Sequence, residues 1–371
     1  MRVAAALVLI GVVLAGSAPD AAAQGTAGPV CARVGAGAKV GTVTDPALVE
    51  LSGLVASHTH PGVLWAHNDS GGFPVVYALS ATGKALGAYP VEGAEAVDWE
   101  DIGIGPGPEA GRSYLYLADI GDNGSTRDHV TVYRVAEPEA APDGTGGTLP
   151  LVDALTIRYP EGPADAESLF VDPLDGDVYV ITKNLSGRSR VLRAAADVVA
   201  AGRAITMEEV ARFQAAGLAA IGSGRGLPAT MVTAADISPD GSTVLVRTYQ
   251  DVLVFERPQG RPLAEAFEAK PCSAPSLAEP QGEAIAFADD GASYVTIGEG
   301  AGPPVHRFEI DPLIVATTVP AATTTRPSVD PDPGDEDDSD VLPIVLLVGF
   351  LVVAGVIVLV AVRSRPSRRH E

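Results

Sequence analysis

Between residues 50 and 310 the apolar positions come in short runs bounded by Gly, Pro and Asp, without the three-to-four spacing of an amphipathic helix. Five of these runs are VLWAHND (63–69), YLYLAD (114–119), VYVITK (178–183), VLVRTY (244–249) and YVTIGE (294–299). They are rich in β-branched and aromatic residues and read as strands. Each follows a recurring segment of acidic-x-acidic-x-apolar type, with an apolar fifth member in all five. The five segments are Glu50-Leu51-Ser52-Gly53-Leu54, Asp98-Trp99-Glu100-Asp101-Ile102, Asp165-Ala166-Glu167-Ser168-Leu169, Thr233-Ala234-Ala235-Asp236-Ile237 and Gln281-Gly282-Glu283-Ala284-Ile285. Turn signals separate segment from strand, as at Pro239-Asp240-Gly241 and Asp289-Asp290-Gly291. A third strand follows at 75–79, 130–135, 189–194, 251–256 and 304–309, and a fourth at 85–91 and 155–160.

Three or four antiparallel strands repeated five times predict an all-β chain folded as a β-propeller. The repeats give five blades, and the long 195–232 stretch has room for a sixth. A two-sheet sandwich is the alternative, and it leaves the recurrence unexplained. The last unit lacks a fourth strand of its own. Lys39–Thr44, ahead of the first unit, is expected to supply it and so close the ring.

The two ends of the chain have a different pattern. Residues 1–23 carry Arg2, a short apolar stretch and Ala21-Ala22-Ala23, the marks of a signal peptide cleaved before Gln24. Residues 341–362 are uninterruptedly apolar and long enough to cross a bilayer. An acidic run precedes them, and Arg363, Arg365, Arg368 and Arg369 follow, which places the basic tail (363–371) in the cytoplasm. The expectation is a type I single-pass protein of the cell membrane. Its ectodomain would be 24–312, extracytoplasmic, on a disordered Thr/Pro/Asp-rich stalk at 313–340.

Composition narrows the function classes. A net charge of −22 argues against nucleic acid as a partner. The two cysteines, Cys31 and Cys272, lie in no metal-binding spacing. In an exported domain they are expected to form a disulfide; two buried thiols are the alternative.

The recurring segments hold the candidate chemistry. Asp98 and Glu100 share one strand face, as do Asp165 and Glu167. A propeller brings the starts of the inner strands to one mouth of its channel, where the second strands end. That mouth is expected to gather the candidate metal ligands Asp98, Glu100, Asp101, Asp165, Glu167 and Glu283, with Glu50 and Asp236, and with Asp119 and Asp122 from a neighbouring loop. His67, Asp69, Lys183, Arg247 and Glu299 are the candidate ligand-binding residues. So many carboxylates call for a hard cation, and Ca2+ is the candidate cofactor. The structural alternative is that each carboxylate caps backbone N–H groups of a neighbouring blade.

Three other motifs lead nowhere. Asn68-Asp69-Ser70-Gly71-Gly72 resembles a serine-protease nucleophile segment but has no triad partners before it. Gly35–Thr42 has the wrong spacing for a phosphate loop, and Gly222–Gly226 reads as a loop. His58 and His60, spaced for one strand face, read as turn residues beside Pro61.

With its Asp-x-Glu-x-apolar segments, the stretch 40–312 resembles the phytase-like and esterase-like-phytase group of secreted β-propellers. Asp101 and Ser168 stand where that pattern has a glycine after the glutamate. The resemblance implies the propeller fold and, as one reading of function, a Ca2+-dependent hydrolase of phosphate esters, with Lys183 or Arg247 holding the anion. The favoured reading is non-catalytic: a membrane-tethered module that binds an extracellular ligand or protein through its acidic mouth.

Overall fold

Short β-branched and aromatic runs cut by glycine turns leave the chain little choice but meandering strands. The computed structural model describes residues 29–69, 72–202, 204–215 and 230–312. The chain divides into two units, 1–318 and 319–371, and every described residue belongs to the first. The leader at 1–23, the stalk at 313–340, the span at 341–362 and the basic tail lie outside the described residues. Among the described residues no helix is long and apolar enough to cross a membrane.

Strand β1 (Ala38–Thr42) precedes the first blade, which is β2 (Leu51–Ala56), β3 (Val63–Asn68), β4 (Val75–Ser80) and β5 (Ala85–Glu92). The second is β6 (Trp99–Pro106), β7 (Ser113–Asp119), β8 (Val130–Ala136) and β9 (Leu149–Arg158). Its outer strand β9 touches β5 in a short parallel bridge, which joins these two blades at their rims. The third is β10 (Ala166–Val171), β11 (Val178–Thr182), β12 (Arg188–Ala194) and β14 (Glu208–Gln214); the two-residue β13 (Ile205–Thr206) pairs with β9 instead. The fourth is β15 (Val232–Ile237), β16 (Thr243–Thr248), β17 (Val252–Glu256) and β18 (Cys272–Ala274). The fifth is β19 (Gly282–Phe287), β20 (Ser293–Gly298) and β21 (Pro304–Glu309), completed by β1.

The long 195–232 stretch forms no blade among the described residues: it supplies a short helix, α2 (Ala196–Ala200), β13 and the outer strand β14. Each inner strand packs on the next, and β19 packs on β2, so the five blades form a ring. An apolar cluster fills each seam between blades. Trp65, Ile102 and Leu117 lie between the first and second, for example, and Phe170, Val246 and Phe255 between the third and fourth. Each such side chain contributes about 1.5–3 kcal/mol on burial.

The N-terminal strand closes the ring as the pattern predicts. β1 runs antiparallel to β21, pairing Lys39 with His306 and Thr42 with Pro304. Ahead of it, helix α1 (Val30–Arg33) carries Cys31, which is bonded to Cys272 on β18. The chain also returns beside its own start: Val34 bridges Ile310, and Asp311 N–H donates to Arg33 O at 2.9 Å. Because β21 runs away from the mouth, the chain enters and leaves the ring on the opposite face.

All five inner strands share a β-bulge near the mouth. It falls between Leu51 and Leu54, Trp99 and Asp101, Ala166 and Ser168, Val232 and Ala234, and Gly282 and Ala284. The extra residue is therefore Glu100, Glu167, Thr233 or Glu283, and a bulge re-aims the side chain it carries. This corrects the fourth repeat. Thr233, not Ala235, occupies the glutamate place, and Asp236 lies farther along the strand, away from the mouth.

Candidate functional site: an acidic mouth

The bulges on β6 and β10 bring Glu100 and Glu167 beside the residues that open their strands, Asp98 and Asp165, while the end of β3 delivers Asp69. Carboxylate oxygens of Asp69, Asp98 and Glu100 lie within 4.8 Å of one another, as do those of Glu100, Asp165 and Glu167. Glu100 belongs to both groups. It is only 3% exposed, and among the described residues its carboxylate has no hydrogen-bond or ion-pair partner. The chain crosses above it at Gly121, where a Cβ would stand 2.1 Å from Glu100 Oε1 and 2.4 Å from Asp98 Oδ2. Only glycine leaves that space open.

Crowding of like charge shows in the acidities. Burial, then the neighbouring Asp69 and Asp165, raise Asp98 to about 6 against the pull of Arg127. Burial, with Glu167 and Asp69 beside it, holds Glu100 well above the ordinary carboxylate range. Lys183 Nζ donates to Glu167 Oε1 at 2.5 Å and to Tyr249 Oη at 3.0 Å. Burial works against its ammonium, but Glu167 outweighs that and raises Lys183 above its usual value, so the proton stays on the lysine. Glu283 is raised to about 8, by burial first, with Lys183 pulling down and Glu299 pushing up.

The other expected site residues are placed elsewhere or already engaged. Asp101 is fully buried and faces inward: Oδ1 accepts from Ile102 N–H at 2.9 Å, and Oδ2 from Leu169 N–H at 3.0 Å and Ala235 N–H at 3.1 Å. It ties three inner strands together and has no oxygen left for a cation. Asp236 does the same between β15 and β19, accepting from Phe287 N–H at 2.7 Å. Asp119 accepts from Val97 and Asp98 N–H and pairs with Arg127 at 2.8 Å. Asp122 caps its own turn by accepting from Thr126 and Arg127 N–H, each at 2.9 Å.

His67 is buried, edge-on to Trp99, with Nδ1 2.8 Å from Asn68 O, and its Nε2 has no hydrogen-bond partner. Its imidazole is packed against Gly53 and does not face a ligand. Arg247 donates to Ala284 O at 2.7 Å and pairs with Glu279, whose side chain is fully buried and also accepts from Thr296 Oγ1 at 2.9 Å. His306 Nδ1 lies 2.6 Å from the same carboxylate. Glu283 and Glu299 stand in the mouth but in neither carboxylate group. His58 and His60 lie in the β2–β3 turn, away from the cluster. Glu279 and Arg127 carry no repeat signal, and sequence reading passed over both.

No protein-family model matches the chain, and no curated protein matches it. Among solved structures it is similar to a chain of the nidogen/laminin complex, at 13% identity and a TM-score of 0.38, over 68% of this chain and 73% of that one. A likeness that slight carries nothing to the site.

Proposed function

We propose that this chain is a membrane-tethered extracytoplasmic binding module whose acidic mouth holds Ca2+ and presents it, with the surrounding rim, to an extracellular ligand or protein. The carrying observation is the carboxylate of Glu100, buried without a partner and shared by two groups of acidic oxygens. A hard cation takes oxygen ligands of this kind, and Asp69, Asp98 and Glu100 under the Gly121 backbone fit one. Lys183 already offsets Glu167 in the second group, while Glu100 is shared by both. The hydrolase reading loses its anion clamp: both cations it would use are committed, Lys183 to Glu167 and Arg247 to Glu279.

The test is a thermal melt of the purified protein with Ca2+ and with chelator, alongside metal content. Ca2+ is expected to raise the midpoint as a ligand of the folded state does. Gly121→Ala places a methyl group among the ligands and is expected to weaken that effect about ten- to hundredfold, the cost usual for a disturbed supporting shell. A wild-type protein with no bound metal and a melt indifferent to both additions would sink the reading.

A further inference from the structure

The seam between the second and third blades opens on the mouth face into a cavity of about 400 Å³. Three arginines form one wall of it. Arg188 and Arg190 alternate along β12 and so share a face, and Arg190 stands directly opposite Arg212 on β14. Like charges in such a cross-strand pair repel. What offsets them is Glu161, on the Tyr159–Gly162 turn between β9 and β10. Its Oε1 accepts from Arg212 Nη2 at 2.9 Å and its Oε2 from Arg190 Nη1 at 3.2 Å. Glu209 also pairs with Arg212, from within β14. The guanidinium of Arg188 has no hydrogen-bond or ion-pair partner among the described residues. The Glu161 side chain is 58% exposed, and ion pairs so open to water add little to stability. A carboxylate from outside can therefore take its place with little loss to the fold. Asp165 and Lys183 also line the cavity but are engaged: Asp165 Oδ1 accepts from Asp122 N–H at 2.9 Å, and Lys183 is held by Glu167.

We infer that this cavity binds a hydroxylated carboxylic acid of the uronic-acid type, whose carboxylate displaces Glu161 from Arg190 and Arg212 and engages Arg188 as well. Glu161 is the chain's own stand-in for that group, and the planar forks of arginine match a carboxylate. The size is within the range of small-molecule pockets, roughly 300–1,000 Å³. The remaining lining is mostly hydroxyl and amide: Ser125 from the β7–β8 link, and Thr182, Asn184 and Ser186 around the β11–β12 turn. Ser125 Oγ and Asn184 Nδ2 have no partner among the described residues, so both are available to ring hydroxyls. Pro163 and Ala164 are the only apolar residues in the lining, which leaves little for the side chains of a peptide. The inference goes beyond the Ca2+ reading and does not need it, since neither carboxylate group of the mouth includes Glu161 or any of the three arginines.

The probe is glucuronate, against glucose and a blocked Gly-Glu-Gly peptide. Binding to the purified protein is followed by ligand-observed NMR, in chelator and at saturating Ca2+. Glucuronate is expected to bind at least about tenfold more tightly than glucose, which lacks the charge, and more tightly than the peptide, which lacks the ring. Arg188→Ala, at a side chain with no partner to lose, should weaken glucuronate about tenfold. Glu161→Gln should instead tighten it, by about threefold or more, because the competing charge is gone; a glutamate that only braces the seam would not have this effect. No glucuronate binding at millimolar concentration, equal binding of glucose or of the peptide, or an affinity that Glu161→Gln leaves unchanged or lowers would overturn the inference. Arg188→Ala should leave the Ca2+-dependent rise in melting temperature intact, so failure here is told from failure of the Ca2+ reading.

Discussion

Two glutamates at the same repeat position, Glu100 and Glu167, have different fates because one has a lysine across the sheet and the other does not. That difference was not legible in the sequence, where both sit two residues after an aspartate. Lys183 reaches Glu167 from the end of β11, while the matching end of β7 runs on into Ile120. His67 and Arg247 look like ligand-facing residues by their place in the repeat. Their burial is decided by Gly53 and Trp99, at positions of the recurring segments that carry no acidic signal, and by Glu279, which lies outside those segments. The acidities at this scale set a pH dependence. Asp98, held near 6, and Glu283, held near 8, both stand above their unfolded value of about 4. Between those limits the folded state binds more protons than the unfolded chain, so stability falls as pH rises. The metal-free protein is therefore expected to melt at progressively lower temperature from about pH 5 to about pH 8, with Ca2+ restoring the loss at the upper end. A melting temperature that instead climbs over that range in the absence of metal would contradict the placement of these groups.

Strand by strand, most of the fold was legible. Runs of Val, Ile and Tyr between Gly and Asp turns mark the second and third strands of every blade, and the spare stretch before the first repeat marks the strand that closes the ring. The bulges were not legible, because an extra residue changes the direction of a side chain without changing the pattern around it. That is why the fourth repeat reads two residues out of place and Asp236 looks like a mouth residue. Asp101 shows how much one strand can owe to others. Its carboxylate satisfies backbone N–H groups of β10 and β15 from its place on β6. Asp101→Ala would leave both donors buried and unpaired, and each costs about 1–3 kcal/mol. A combined loss of about 2–5 kcal/mol is expected by chemical denaturation, with the Ca2+ response of the folded protein retained. A loss within experimental error would mean that the strands do not depend on this bridge.

At the scale of the whole ring, closure is made twice, once by the β1–β21 ladder and once by the Cys31–Cys272 bond across 241 residues. Cross-linking so long a loop restricts the unfolded chain, and removing the bond as Cys31→Ser/Cys272→Ser is expected to lower stability by roughly 2–5 kcal/mol. Denaturant curves that coincide with the wild type would show that the ladder alone is sufficient. The bond links the blade before the last to the segment that leads into β1, so three neighbouring parts of the ring share one anchorage. The geometry of the exit matters under the C-terminal tether proposed above. Tension arriving at Pro312 pulls β21 along its length, and β21 has β20 on one side and β1 on the other. Both ladders resist in shear, with many hydrogen bonds loaded together and none peeled singly. The entering strand carries part of that load into the fourth blade through the disulfide, which leaves the mouth on the far face mechanically quiet.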